Sequence, residues 1–179
     1  MKRILLSLAP VAIAVAFAGS ALAGPQYVDK TKFAVSGYDV VAYWGLEQNA
    51  VGKTQPKAVA GKKSITAEHN GATWAFSSEE NKQKFLADPA KYVPQYDGHC
   101  AYGASIGNDG KGGKVPGNPH LWRIVDGKLY LNITKAVVGF WEKNVPGHIS
   151  KADKNWTSIG SKPASKRNVP SFSTASAPL

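Results

Sequence analysis

The fold of this chain is decided by residues 64–76, which read Ser-Ile-Thr-Ala-Glu-His-Asn-Gly-Ala-Thr-Trp-Ala-Phe. Asn70-Gly71 is the dipeptide that best accepts the two positive φ angles of a type I′ turn, so the flanking segments are predicted to form a β-hairpin. Ala72, Trp74 and Phe76 alternate along the second segment, which is the period-2 pattern of a half-buried strand. The sequence therefore predicts a two-stranded antiparallel unit with one buried face.

A second hairpin is predicted downstream from the same turn chemistry. Residues 121–125 and 128–132 flank Asp126-Gly127, a dipeptide that accepts the same type of turn. The two hairpins form a weak internal echo, but their residues do not match well enough to indicate a sequence repeat.

A helix is expected after each hairpin. Ser77 or Ser78 can cap the first helix, whose opening turn holds two glutamates and whose end is marked by Asp88-Pro89. The second helix is expected to begin at Thr134 and to be broken at Pro146-Gly147, with a short final helix after it. The predicted fold class is α+β, with two β-hairpins forming a small antiparallel sheet and short helices packed on it.

The start of the chain has the composition of a secretory signal peptide, residues 1–23. Two basic residues precede an uncharged run over 4–18, and Ala21-Leu22-Ala23 is a small-x-small cleavage site. The apolar run is too short to span a bilayer comfortably, so no transmembrane segment is expected after the signal peptide is removed. We expect the mature protein, beginning at Gly24, to be exported to the periplasm.

The excess of basic residues does not indicate a nucleic-acid partner. The chain has 22 Lys and Arg against 12 Asp and Glu. Two of the basic residues lie in the signal peptide and three in residues 157–179, neither of which holds an acid, so residues 24–156 carry 17 against 12. Residues 157–179 are also rich in Ser and Pro, which predicts a disordered basic tail. The folded domain is therefore expected over residues 24–156, without a nucleic-acid site.

Several segments of the chain carry a common pattern: residues 35–43, 74–81, 85–92, 94–102 and 122–132. Together they resemble the YHS-domain proteins, specifically the exported group in which the domain is nearly the whole mature chain. The resemblance covers roughly residues 33–156, in order and without large gaps. It implies a binding protein associated with copper or another soft metal ion.

One motif departs from the metal-associated members of that family. Short metal-associated YHS domains carry the pattern Phe-Cys-Ser-x-x-Cys, and the equivalent residues 76–81 here read Phe-Ser-Ser-Glu-Glu-Asn. Both cysteines are absent, and with them the strongest reason to assign a soft-metal site at this place.

Cys100 is the candidate metal ligand that remains. As the only cysteine it cannot form an internal disulfide in an oxidising compartment. If a helix begins just after it, the helix N-terminus would stabilise the thiolate. A thiolate with one or two imidazoles could hold Cu(I) or another soft metal ion. The candidate metal site is therefore Cys100 with His99 and His120, and a buried, inert cysteine is the alternative.

Two further functions are weighed against the metal site. Tyr43, Tyr96 and Tyr102 could line a pocket for a small ligand or a partner protein, because tyrosine combines an apolar body with a polar tip, although the same residues could instead complete the core. A thiol-dependent enzyme would need Cys100 with His120 and an acid, and only the presence of these residues supports it. Binding is therefore favoured over catalysis.

Overall fold

The computed structural model of the protein describes residues 24–107, 109–110 and 112–169. The predicted signal peptide and the last ten residues of the predicted tail lie outside the described residues. The elements are of three types, with each type in chain order. There are three 3₁₀ turns (Val35–Gly37, Ala42–Gly45 and Gln95–Gly98), strands β1 (Lys62–His69), β2 (Ala72–Phe76), β3 (Asn118–Val125) and β4 (Lys128–Asn132), and helices α1 (Glu79–Ala87), α2 (Pro89–Tyr92), α3 (Ala101–Ile106), α4 (Lys135–Glu142) and α5 (Val145–Ile159) in the described residues.

Both predicted hairpins and the α+β class are confirmed. The turn residues Asn70 and Gly71 have φ angles of 49° and 70°, and Asp126 and Gly127 have the same pair of values. These are the two positive φ angles that a type I′ turn requires. The hairpins form two separate two-stranded antiparallel sheets, β1 with β2 and β3 with β4, rather than the one small sheet that was expected.

The predicted helix starts are also observed, but the predicted break is not. The side chains of Ser78 and Thr134 accept the N3 backbone N–H of α1 and α4 respectively, as N-caps do. Pro146-Gly147 lies inside the first turn of α5, which Asn144 caps, and does not interrupt a helix. Proline is tolerated in a first turn because its missing N–H would have no intrahelical partner there. The final helix is therefore longer than predicted.

The two hairpin-and-helix segments are structurally equivalent, residue by residue. We call residues 59–87 the first unit and residues 115–143 the second unit. Every turn, strand start and helix start in the second unit lies 56 positions after its counterpart in the first unit. Asp126 and Asn70, the first turn residues of the two hairpins, are one such pair. Both pairs of strands also have their register irregularity at the same place. The weak echo in the sequence thus corresponds to a duplicated arrangement of the backbone.

Equivalent positions in the two units perform the same packing task. Phe85 is the buried residue of α1. Trp141, 56 positions later, is its counterpart in α4. Gly61 and Gly117 are also equivalent, and a Cβ at either would lie 2.7 Å or less from a backbone atom. A side chain cannot be accommodated at such a close approach, so glycine is retained in both units.

Each unit is preceded by a strained corner of backbone, residues 35–39 for the first unit and residues 96–100 for the second. Three consecutive residues have positive φ in each corner, with values of 49°, 53° and 81° in the first and 58°, 52° and 75° in the second. The last residue of the corner, Asp39 or Cys100, donates its N–H over 2.9 Å to the first carbonyl of its unit. Asp39 and Cys100 are therefore equivalent positions.

The core consists of two clusters of buried side chains. The larger contains the aromatic residues of the first unit together with Trp122, Leu129 and Leu131 of the second hairpin. The smaller lies between α3, α4 and α5 and includes Tyr96 and Trp141. Among the described residues, no helix combines the length and the apolar character needed to cross a bilayer.

The chain after α5 continues along the body of the protein. Ser165 donates its backbone N–H to Nε2 of His99 over 3.1 Å, and the hydroxyl of Tyr27 donates to the carbonyl of Arg167 over 2.7 Å. Val169 is buried. The packed body therefore extends past the predicted boundary at residue 156, because this segment gains contacts that its Ser- and Pro-rich composition does not reveal.

Candidate functional site

Cys100 lies at the N-terminus of α3, completely buried. Its Sγ accepts the N–H of Gly103 and donates to Oδ1 of Asn132, both at 3.4 Å. Burial raises the pKa of the thiol to about 11, although nearby backbone N–H groups act in the opposite direction. The expected stabilisation of a thiolate by the helix N-terminus is therefore wrong: desolvation outweighs the field of a helix of only six residues.

His99 is buried beside Cys100, and both of its ring nitrogens are engaged. Nδ1 lies 2.9 Å from the carbonyl oxygen of Tyr96 and donates to it, so Nε2 is the acceptor for the Ser165 N–H. Burial lowers the pKa of His99 to about 4, which leaves the ring neutral at pH 7. Its one lone pair is already used by Ser165, so His99 offers no free ligand atom to a metal.

His120 lies on β3, away from this pair. Its Nδ1 accepts the N–H of Ala58 over 3.2 Å, and its ring packs edge-on against Tyr38. Burial, reinforced by Lys57, lowers the pKa of His120. Within residues 24–107, 109–110 and 112–169, no three His, Cys, Asp or Glu side chains are grouped so that they could hold a metal ion. The structure therefore does not bring Cys100, His99 and His120 into one site.

The candidate pocket tyrosines are packed into the protein. Tyr43 is buried in the larger cluster and donates its hydroxyl to the Pro119 carbonyl over 2.7 Å. Tyr96 is buried in the smaller cluster, and Tyr102 stacks on Phe140 at its edge. None of the three lines the hollow between residues 52–55 and the second unit, or the hollow between Lys114 and residues 162–167. These side chains complete the core instead of forming a shared pocket.

A cleft of about 190 Å³ lies elsewhere, between the loop after the second 3₁₀ turn and the second unit. One wall is formed by residues 52–55 of the loop, and the other by residues 120–123 of β3 and the inner side of α4. Trp122 and Trp141 are the two tryptophans among its lining residues, and both are almost completely buried beneath its surface. A cavity of about 150 Å³ is large enough for a benzene ring, so this cleft fits a ligand of about one ring.

The loop wall is fixed to the second unit by a buried ion pair between Arg123 and Glu142. The guanidinium of Arg123 also donates to the carbonyls of Asn49 and Ala50, and the second carboxylate oxygen of Glu142 accepts the N–H of Gly52 over 2.8 Å. Both charged groups thus neutralise each other and hold the loop at the same time. The cleft is a built feature rather than a gap beside a loose loop.

The charges left on the cleft are positive. Glu142 is the one acid that lines it, and that carboxylate is paired with Arg123. Lys53 and Lys135 line the same cleft, are exposed, and form no ion pair within the part of the chain that the structure describes. His120, which also lines it, has a lowered pKa and adds no charge at pH 7. The cleft therefore presents two cations above an aromatic floor.

Comparison with known families gives a match to one part of the chain. Residues 54–96 match the YHS domain. The match spans the loop end, the first hairpin, α1 and α2, and it confirms the predicted resemblance to the YHS-domain family over this part of the chain. No curated protein and no solved structure shows a significant match to the chain.

The YHS match contains the two positions where metal-associated members have cysteines. Here Ser77 donates its N–H and its hydroxyl to Oδ2 of Asp39, at 2.7 and 2.6 Å, and Asn81 donates its Nδ2 to the same oxygen at 2.7 Å. Asp39 is completely buried, and its Oδ1 accepts two further backbone N–H groups at the start of the next turn. A hydrogen-bonded carboxylate thus occupies this place, and the donor set does not fit a soft metal ion.

Sequence reasoning missed both charged groups that organise these regions. Asp39 appeared within the family pattern but was given no role, although a buried carboxylate requires several donors. Arg123 offered a clearer signal, since it is the one charged residue within the apolar run of a predicted strand, and a buried cation needs a partner. Glu142, which supplies that partner, lies on a different element and could not be paired with it from sequence.

Proposed function

We propose that this protein is an exported binding module that holds a small organic anion in the cleft between the loop at residues 52–55 and the second unit. The observation that carries the proposal is the cleft's charge: two lysines that have no ion pair among the described residues line it, and the one acid among its lining residues is neutralised by Arg123. Excess charge of one sign in a concave site attracts ligands of the opposite sign. Its aromatic walls and its volume suit a carboxylate on a single ring.

The geometry supports this function better than metal binding. Cys100 is a buried thiol with a raised pKa, and the imidazole beside it has already used its lone pair. To become a metal ligand, the thiol of Cys100 would first have to lose its proton. It would then have to exchange its contact with Asn132 for the metal. The cleft requires no such rearrangement, because its polar groups face a space that a ligand can enter.

Benzoate is a suitable probe, with benzyl alcohol as its uncharged match. Binding is measured by calorimetry and by the fluorescence of the two tryptophans in the cleft. We expect benzoate to bind more tightly than benzyl alcohol, and Lys135→Gln to weaken benzoate alone by about three- to fivefold, as the loss of one exposed charge would. Lys154→Gln, an exposed lysine of α5 outside the cleft, is the matched control and should leave both affinities unchanged.

A blocking variant tests the location of the site. Gly139 lines the cleft and has open space where a Cβ would lie, so Gly139→Leu should fill the cleft without a clash and without weakening α4. It should abolish binding of both probes. Unchanged binding in Gly139→Leu would place the ligand elsewhere and contradict the proposal.

Titration with Cu(I) separates this function from the metal hypothesis. We expect no stoichiometric uptake that depends on Cys100, so the wild type and Cys100→Ala should behave alike. One equivalent bound by the wild type and none by Cys100→Ala would favour a metal-binding function over the proposed one.

A further inference from the structure

Gly24, the first described residue, lies in a closed space against a carboxyl group. It is buried, and a Cβ built on it would lie 2.0 Å from the carbonyl oxygen of Gly160 and 2.8 Å from Oδ2 of Asp97. Its own carbonyl accepts a hydrogen bond from Nδ2 of Asn70 over 3.1 Å. The backbone at residue 24 is therefore held on both sides and faces the Asp97 carboxylate at close range.

One oxygen of the Asp97 carboxylate, Oδ2, has no hydrogen bond of normal geometry within the described residues, and the donor closest in sequence to the predicted cleavage site is the single backbone N–H of Gly24. Asp97 is 7% exposed, and within the described residues its Oδ2 has no hydrogen-bond partner. The nearest cation, Nζ of Lys114, is 3.9 Å away and donates instead to the carbonyls of Gly160 and Lys162. Burial raises the pKa of Asp97, while Lys114 and the N–H of Gly24 act in the opposite direction. A buried carboxylate oxygen left in this way is unfavourable for the folded state.

The predicted cleavage of the signal peptide acts on the nitrogen of this same residue. Hydrolysis of the Ala23–Gly24 peptide bond by a signal peptidase adds one water molecule, so that Ala23 leaves with a new carboxylate and Gly24 keeps a new amine. A free α-amino group has an ordinary pKa of about 7.7–8.0, so this amine takes up a proton at neutral pH. One amide N–H is thereby replaced by an ammonium with three donors and a positive charge.

We infer that the new ammonium of Gly24 forms a buried ion pair with Asp97, so that removal of the signal peptide replaces the single amide N–H at this carboxylate with a charged donor. Besides the two members of the pair, the charged group at this place is Lys114. Its ammonium is held by the two carbonyls to which it donates and by the Trp156 ring, whose centroid is 5.1 Å from Nζ. Any residue other than glycine at position 24 would place its Cβ against Gly160. The site therefore recognises one chain end.

The test compares three forms of the protein at pH 6.5. One begins at Gly24 with a free amine, the second is acetylated on that amine, and the third carries one alanine before Gly24. Both buried clusters lie within the residues after Gly24, so all three forms contain the complete core. The free-amine form should melt about 4–8 °C higher than the acetylated form, since one kcal/mol corresponds to about 2–4 °C for a chain of this size. The alanine extension moves its amine away and should resemble acetylation.

The Asp97→Asn background separates an ion pair from a general effect of the chain end. There, the free and acetylated forms should melt together, whereas Asp109→Asn, an exposed acid, should preserve the difference. The advantage of the free amine should also decline as the pH rises through the pKa of the paired amine, because the amine then loses its charge. The same melting temperature in all three forms, or a difference that persists in Asp97→Asn, would overturn the inference.

A second measurement keeps the inference testable if Asp97→Asn does not fold. The pKa of Asp97, followed by carboxyl ¹³C chemical shift, should be lower by about one to three in the free-amine form than in the acetylated form. An equal pKa in both forms would overturn the ion pair. Mass spectrometry of the exported protein checks the premise, and a first residue other than Gly24 would overturn the link to signal-peptide removal.

Discussion

Asp39 and Cys100 occupy equivalent positions in the two corners, but they organise their units differently. The Asp39 carboxylate collects five hydrogen bonds, three of them from Ser77 and Asn81 of the first unit. Cys100 makes two long sulfur contacts, one with Asn132 of the second unit and one with the Gly103 N–H of α3. The same backbone thus supports either a charged anchor or a neutral thiol, which shows that the corner geometry does not by itself create a metal or catalytic site.

The units also differ in what their outer surfaces hold. Arg123 and Glu142 correspond, 56 positions earlier, to Ala67 and Leu86, neither of which is charged. The connection from corner to unit has 19 residues between Asp39 and Val59, but only 14 between Cys100 and Val115. The longer connection includes the loop that Arg123 and Glu142 hold. The cleft lies on the second unit, where the ion pair and the long loop meet.

The largest expected difference between the halves concerns the corner side chains. Asp39→Ala leaves the buried donors of Ser77 and Asn81 without an acceptor, so we expect a loss of more than about 4 kcal/mol in the free energy of unfolding. Cys100→Ala removes one sulfur and two weak contacts, and we expect a loss of about 1–2 kcal/mol. Urea denaturation of both variants measures the comparison.

A result of equal losses would contradict this account of the corners. Asp39→Asn is the informative control, because it keeps the shape and one acceptor oxygen but removes the charge and places donors against donors. It should fall between the wild type and Asp39→Ala. If Asp39→Asn is as stable as the wild type, the charge of the carboxylate is not what the network requires.

The parts of this molecule that sequence could predict are those set by neighbouring residues. Asn70-Gly71 fixes a turn through its own φ angles, and Ser78 caps a helix that begins at the next residue. The bond from Ser77 to Asp39 spans 38 positions, and nothing local to either residue indicates it. The duplicated backbone was only weakly indicated by the sequence, since equivalent positions share glycines at close approaches and turns while most other side chains differ.

The candidate metal site could not be judged from sequence for a related reason. A free cysteine beside a histidine has the right chemistry for a soft metal, but burial determines whether that chemistry is accessible. His99 is neutral because its environment is apolar and its lone pair faces Ser165, which lies 66 positions later. Contacts between residues so far apart in sequence determine the pKa of a candidate ligand and whether its lone pair is available to a metal. A sequence motif does not report them.

The second prediction tests whether the Arg123–Glu142 pair accounts for the difference between the outer surfaces. Glu142→Gln leaves a buried guanidinium without its counter-charge and keeps one acceptor oxygen where Arg123 and Gly52 now use two, so we expect a loss of about 3–5 kcal/mol in the free energy of unfolding. Arg123→Ala with Glu142→Leu copies the residues of the first unit and removes both charges together. That double variant should recover much of the loss, because no unpaired charge remains buried.

The same pair of variants should change the cleft differently from the core. Without the pair the loop at residues 49–52 loses its side-chain contacts, so hydrogen exchange of Gly52 should accelerate in the double variant even where overall stability is largely restored. If the Gly52 amide exchanges at the wild-type rate, the loop is held by other contacts and the cleft wall does not depend on the ion pair.

The smallest expected effect sharpens the comparison at Cys100 itself. The thiol has a pKa of about 11 in the folded protein against its ordinary value of 9.0, so the unfolded chain releases its proton first as the pH rises. Its contribution to stability is therefore fully present below pH 9 and is lost as the pH rises from 9 to about 11, by about 2–3 kcal/mol in total. Lysines and tyrosines titrate in the same range, so the measured quantity is the difference between the wild type and Cys100→Ser, whose hydroxyl does not titrate there. The wild type should lose stability relative to the variant across this window, and parallel curves would mean that the thiol ionises as easily in the folded protein as in the unfolded chain, which would reopen Cys100 as a reactive or metal-binding group.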